Sequence, residues 1–368
     1  MNMKPLFIKY AGAALLLAAT GAVKAQNTTL SVTNAAVPSL QISPDAKAGG
    51  MGDVAIATDA DASSVYYNLA KIVFAKKKSG ASANYTPWMK DVADDMSLSA
   101  VSGYHQLSDE QAIGASLRYF NMGNVDLIDY NGNKLQTNHP NEFTLDLGYA
   151  RKLSPLFSAG VALRYISSGL VAGTVNGTDY KRGNTVAADV SLFYNGLKEN
   201  AKGWTAGLTL ANLGGKIGYS NNAGNKGFLP ASLNLGFAYR EALDDKNGIL
   251  LGGDVNKLLV PEMPDSDKEV ADYYNKGVVS SWFSGLGNKA WQFGLGTEYN
   301  YMEKLYLRLG YRSQSYTGGS WQFITAGLGL QFDIASINFS YLVPTGDKVN
   351  RNPYVNTVRL GVQFGWGK

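Results

Sequence analysis

Past residue 79 the chain repeats one pattern: about ten residues in which alternate side chains are apolar, then a turn or loop. Ile113, Ala115, Leu117 and Tyr119 form one such set, and Phe143, Leu145, Leu147 and Tyr149 the next. The series runs on to Val358, Leu360, Val362, Phe364 and Trp366. A period of two puts alternate side chains on opposite faces of a strand. With two weaker segments near 79–88 and 96–106, the pattern predicts about fourteen antiparallel strands.

A soluble β-sandwich also alternates, so the placement of charge and aromatic residues has to separate the two. Arg118, Asp146, Arg164, Asp189, Arg240, Asp254, Glu298, Arg308, Arg312 and Arg359 all take the parity opposite the apolar set. A charge on a lipid-facing position costs about 2–4 kcal/mol near the midplane, so in a membrane barrel these side chains belong to the lumen. The tyrosines discriminate further. Tyr119, Tyr149, Tyr165, Tyr194, Tyr239, Tyr299 and Tyr311 fall at strand ends on the apolar face, where an interfacial aromatic girdle belongs. Connections near 107–110, 151–154, 241–247, 301–303 and 333–335 are short, and those at 121–141, 167–183, 213–229, 258–289 and 344–353 are longer. Short periplasmic turns and long external loops are the asymmetry of a bacterial outer-membrane barrel. The expected fold is therefore all-β, a transmembrane antiparallel β-barrel over 79–368, with both termini in the periplasm. In the longest loop Pro261 and Pro264 break the chain and 267–276 suits a short helix. Trp282 and Phe283 then form apolar tips that either fold onto the rim or meet a partner.

Residues 1–25 read as a secretory signal peptide: Lys4 and Lys9, a short apolar core, then Val23-Lys24-Ala25 as the cleavage site. Residues 26–78 form an N-terminal extension whose centre, 45–70, is rich in Gly, Ala and Asp and follows no period. It cannot build a core alone and is expected to fold inside the lumen as a hatch. Gly49, Gly50 and Gly52 suit tight turns or a close approach to other backbone.

Composition narrows the chemistry. With no cysteine there is no disulfide framework, thiolate metal site or lipoprotein anchor. A net charge of +4, and no basic run interleaved with aromatics, argues against nucleic acid. His105 and His139 are the only histidines, so a histidine-rich metal site is unavailable, and neither stands near a serine-nucleophile motif. Asp94-Asp95, Asp244-Asp245 and Asp265-x-Asp267 are loop acids, weak grounds for calcium. Gly294-x-Gly296 and Gly327-x-Gly329 lie inside strands with no helix following, and read as thin positions facing the lumen or hatch. No enzyme, metal or cofactor is expected.

Gly49-Gly50-x-Gly52, the alanine-rich run after it, Asp61-Ala62-Ser63 and Tyr67-Asn68-Leu69-Ala70 resemble the N-terminal hatch of the FadL family of outer-membrane transporters. There the pattern runs G-G-A, D-A-S-A and N-P-A, and the hatch plugs a fourteen-stranded lumen. The run from Lys47 to Asp53, with Asn68-x-Ala70-Lys71, is more specifically similar to the FadL-like outer-membrane component of the type IX secretion system of Bacteroidetes. Leu69 stands where the family usually has proline, which predicts a less rigid turn. The resemblance implies a carrier that binds the C-terminal signal domain of secreted cargo at the translocon. It would deliver that cargo to an attachment machinery with a sortase-like subunit, all within outer-membrane lipid. The alternative is a FadL-like channel for hydrophobic small molecules such as fatty acids. A channel calls for a continuous apolar lining, whereas the inward parity carries six Arg, three Asp and one Glu, free to pair with one another or with Asp53, Asp59 and Asp61.

Overall fold

The computed structural model describes residues 35–90, 95–128, 134–171, 173–175, 178–198, 201–220, 226–264, 267–315, 320–345 and 355–367. The proposed signal peptide, Asp94 and Asp265 lie outside them.

The strands are, in order, β1 (Ser79–Pro87), β2 (Met96–Gln106), β3 (Gln111–Met122), β4 (Val125–Ile128), β5 (Lys134–Asn138), β6 (Asn141–Lys152), β7 (Phe157–Gly169), β8 (Gly173–Val175) and β9 (Thr178–Tyr180). They continue with β10 (Gly183–Leu197), β11 (Gly203–Gly214), β12 (Ser232–Ala242), β13 (Asn247–Leu258), β14 (Trp291–Tyr301), β15 (Leu305–Ser315), β16 (Ser320–Gln331), β17 (Ala335–Thr345) and β18 (Thr357–Trp366). Fourteen of them close into one antiparallel barrel, with β1 pairing both β2 and β18. The pairs β4–β5 and β8–β9 are separate hairpins raised from connections that the sequence pattern left irregular.

Exposure settles which way round the wall is built. Leu147, Leu163, Val186 and Leu309 are 59–66% exposed, while Asp146, Arg164 and Arg308 on the opposite parity are at most 4% exposed. A soluble sandwich would hide the first group, because exposing a Leu or Val to water forfeits about 1.5–3 kcal/mol each. An apolar outside around a charged inside is stable only when the solvent is lipid. The tyrosines sort into two belts. Tyr119, Tyr165 and Tyr311 lie toward the rim that bears the long loops, and Tyr149, Tyr194, Tyr239 and Tyr299 toward the rim of short turns. Their hydroxyls find polar partners at the boundary: Tyr165 donates to Asn184 Oδ1 at 2.8 Å and Tyr149 to Gln111 Oε1 at 3.0 Å. Trp204 packs on Tyr239 within the turn-side belt, ring centroids 4.7 Å apart.

The wall is irregular at one seam. Between β10 and β11 the register slips after Ala188, and Asn212 enters at φ 57, so β11 carries an extra residue and its inward parity flips from Thr209 to Asn212.

In the longest loop the helix Asp267–Asn275 forms as expected, and a second helix, Val278–Gly285, follows it. A Cβ on Gly285 would stand 2.3 Å from the carbonyl carbon of Leu259, so only glycine lets this helix pack against the exit of β13. Asn288 pins the return, donating to Leu258 O at 2.9 Å and Val260 O at 2.6 Å. Trp282 and Phe283 do not act alike: Trp282 is half-buried, whereas Phe283 is 70% exposed.

β1 begins and β18 ends on the turn rim, as an even strand count requires, but the described chain does not start there. Ala36 N donates to Phe228 O at 2.8 Å, and Ala35 packs among Val260, Tyr273 and Phe228 on the loop rim. Residues 35–42 lie at the rim opposite Gly367, so the hatch is entered from the loop side. The reason is apolar. Val37, Leu40 and Ile42 fill two clusters with Ile166, Ile217, Trp88, Phe120 and Phe323, all at loop-side strand ends.

Candidate functional site

From the loop rim the chain descends through the lumen as a hatch. It forms a short helix Ala46–Gly49 and 3₁₀ turns Ala62–Tyr66 and Leu69–Phe74, then delivers Lys76, Lys77 and Lys78 to the start of β1. Each piece is capped by its own side chains. Asp45 accepts from the amides of Lys47 and Ala48 at 3.2 and 3.0 Å. Asp61 opens the next turn in a capping box with Ser64. Asn68 opens the third, accepting from Ala70 N at 3.1 Å, and its Nδ2 also donates to Ile56 O and to Leu192 O of β10, both at 3.1 Å. Leu69, where the family pattern has proline, is buried and spends its side chain on packing. It fills the space left by Gly114 of β3 and Gly148 of β6.

The hatch runs along a track of glycines. Gly52 holds φ +69, and a Cβ on Gly310 of β15 would stand 2.1 Å from its nitrogen. A Cβ on Gly296 of β14 would meet Met51 O at 2.3 Å, and one on Gly327 of β16 would meet Gly50 Cα at 2.8 Å. Gly294 likewise faces the Gly52 carbonyl oxygen. Gly294, Gly296 and Gly327 are therefore seats for hatch backbone, whereas Gly329 leaves room for the side chains of Arg308 and Asn338. Around the circumference, strand side chains take up the hatch's backbone groups. Gly52 N donates to Thr325 at 2.9 Å, Thr205 donates to Ala57 O at 2.7 Å, Thr209 to Tyr67 O at 3.1 Å and Ser158 to Ala70 O at 2.6 Å.

Most of the luminal charges gather into four ion-pair groups. Asp53 of the hatch bridges Arg312 and Arg359, from β15 and β18. Burial alone would raise its pKa, but the two guanidiniums outweigh that and hold it below the ordinary carboxylate range. Arg164 binds Asp146, Asp189 and Asn212 in the wall, and Asn212 N returns to Asp189 Oδ1 at 2.7 Å, so the bulge in β11 is part of this cluster. Arg308 pairs with Glu298 at 2.7 Å and with Asn338 at 2.9 Å. Arg240 reaches Asp59. Asp61 pairs with Lys47 of the hatch itself, at 2.8 Å, rather than with a strand arginine. Asp254 Oδ2 accepts the amides of Ala55 and Ile56 at 2.7 and 3.0 Å. Ser63 donates to Ser82 of β1 at 3.4 Å.

Pattern reading passed over two buried titratable groups. Lys71, 1% exposed, donates to Ala55 O at 2.6 Å, and burial pulls its pKa down to about 8 despite the attraction of Asp61. Glu142 of β6 accepts from Ser39 N at 3.1 Å, tying the hatch entrance to the wall. Lys71 stood in the Asn68-x-Ala70-Lys71 match, but nothing in a sequence says that a lysine will turn inward.

Two cavities flank the hatch. One of about 270 Å³, on the turn side, is lined by Lys47, Asp59, Asp61, Phe74 and Lys76. The other, about 120 Å³, lies on the loop side between the hatch, Arg118 and Asp254. Neither is apolar throughout. Asp244 closes a turn by accepting the amides of Lys246 and Asn247, both at 2.8 Å. His105 bonds Ser79 on the exposed end of β2.

A plugged fourteen-stranded barrel of this kind is a FadL-like outer-membrane protein. The structure is similar to a FadL homologue of Pseudomonas aeruginosa (TM-score 0.52, 11% identity, 92% of this chain and 100% of that one). It is also similar to the toluene transporters TbuX of Ralstonia pickettii (0.51, 12%, 87% and 98%) and TodX of Pseudomonas putida (0.53, 14%, 86% and 95%). At such identities these likenesses concern the fold. No curated protein matches the chain in sequence. The family model for the type IX secretion system protein PorV matches residues 24–265, and the chain belongs to the PorV family.

Proposed function

We propose that the protein is the cargo carrier of a type IX secretion system, working from the outer membrane with its long loops outside and its short turns in the periplasm. It binds the C-terminal signal domain of secreted proteins, takes them from the translocon and passes them to the sortase-like attachment subunits. The observation that carries this reading is the occupied lumen. The hatch is bonded to strands around the circumference and its Asp53 is held between Arg312 and Arg359. A polar, filled lumen offers no continuous apolar path, which counts against a channel for hydrophobic molecules. It leaves the loop rim as the working surface, and its role is non-catalytic.

On that rim the helix Val278–Gly285 presents Val279, Phe283 and Leu286, all at least 52% exposed, at the i, i+4, i+7 spacing of one helical face. Such a stripe suits a partner's apolar groove. The test is a mild-detergent pull-down of the tagged protein from its own outer membrane, with mass spectrometry of what accompanies it. Secreted proteins sharing a C-terminal domain, with translocon or attachment subunits, are expected. Phe283→Asp should lower their recovery about tenfold, the loss of one anchoring side chain. A barrel carrying only lipid or fatty acid would replace the carrier with a channel.

A further inference from the structure

The cavity on the loop side of the hatch holds two buried charges that take part in none of the ion pairs. Arg118 of β3 is 5% exposed and lies with its guanidinium carbon 4.9 Å above the ring of Tyr66. No carboxylate lies within ion-pair distance of it among the described residues, and its Nε has no hydrogen-bond partner. Asp254 of β13, 3% exposed, uses Oδ2 for the hatch amides, while its Oδ1 has no partner. Gln41 of the hatch entrance adds a third orphan, its buried Oε1. All three residues line the same space of about 120 Å³, room for a small molecule or several waters. An unpaired buried guanidinium and carboxylate each carry a desolvation cost that the neighbouring wall does not offset. The other charged residues facing the cavity are committed: Arg164 to Asp146 and Asp189, and Arg312 to Asp53.

We infer that this cavity is a binding site for a small carboxylate that also carries an N–H donor, the chemistry of an amino acid or of the last residue of a chain. The carboxylate lies on Arg118, whose planar fork matches it. The N–H lies on the side lined by Asp254 and Gln41, whose unpartnered oxygens, acceptors only, reach it by a small turn of either side chain. The small volume excludes a long-chain acid. The site is independent of cargo carriage by the loops.

The test uses the full-length barrel in detergent, with N-acetylglycine as the probe and saturation-transfer NMR or calorimetry as the readout. N-acetylglycine should bind, acetate at least tenfold more weakly, and N-acetylglycinamide, which lacks the carboxylate, not measurably. Arg118→Gln should weaken N-acetylglycine at least tenfold, and Arg118→Lys should restore part of the loss. Retention of the heat-modifiable band on gels shows that each variant is folded. A map of the wild-type protein soaked in N-acetylglycine gives a readout that needs no variant. Equal binding of acid and amide, no binding of either, or only water in that map would overturn the site. Competition by a longer peptide ending in glycine would assign the ligand to a chain end, and competition by free amino acids alone to a metabolite.

Discussion

Asp53 shows how much one side chain can hold. It is the hatch's direct ionic link to β15 and β18, and both of its partners are buried guanidiniums. Removing one partner from a buried ion pair costs about 3–5 kcal/mol, because the remaining charge stays desolvated. Asp53→Asn should therefore leave the barrel assembled, with its heat-modifiable band intact, while hatch amides exchange with deuterium far faster than in the parent. The pH dependence has the same origin. A carboxyl held below its ordinary value of 3.8 stabilises the seated hatch above that pH and loses its effect as pH falls through the depressed value. Lys71 works in the opposite sense. Its pKa drops from 10.5 to about 8 in the seated hatch, so seating is weakest below pH 8 and strengthens as pH rises from 8 to 10.5. The full span is on the order of 3 kcal/mol. Hydrogen exchange of hatch amides, corrected for intrinsic rates, should show that gain in the parent and a flat profile over the same interval in Lys71→Met.

At the scale of elements, the sequence carried the strands well, because lipid outside and charge inside enforce strict alternation over every span. Arg118, Arg164 and Arg308 could be assigned to the lumen from parity alone. The hatch was legible as a segment but not as a path. Its entry at the loop rim depends on Val37, Leu40 and Ile42 finding Ile166, Ile217 and Phe323, contacts between residues far apart in sequence that no local period encodes. The bulge at Asn212 was equally hidden, since one extra residue shifts parity without altering composition. Gly294, Gly296, Gly327 and Gly329 were readable as thin positions and Gly310 of β15 was not, because which glycine touches what is a property of the docked hatch. Gly310 nevertheless makes the tightest approach to the hatch. Because a Cβ there would meet the Gly52 backbone rather than a movable side chain, Gly310→Ala should displace the hatch from β15 at a cost of about 1–3 kcal/mol. Limited trypsinolysis would read this as new cleavage at Lys47 or Lys71, both inaccessible in the parent. An unchanged digest would mean the wall yields instead.

For the whole molecule, the central question is whether the hatch stays in place while the protein works. A transporter has to open a path, whereas a carrier acting at its loops can keep its lumen shut permanently. The structure supplies a clean way to ask. Ser63 of the hatch and Ser82 of β1 are buried with their hydroxyl oxygens 3.4 Å apart, and the chain has no cysteine of its own. Replacing both with cysteine changes little volume and should allow one disulfide between hatch and wall. Under oxidising conditions the Ser63→Cys/Ser82→Cys protein should secrete cargo at the parental rate, and reductant should change nothing. That outcome fits Asp53, the glycine track and the ring of hydroxyl contacts, which together make displacement of the hatch costly. If secretion stops on oxidation and returns on reduction, the hatch moves during the cycle. The lumen would then be part of the route, and the loop-rim account would give way to passage through the barrel.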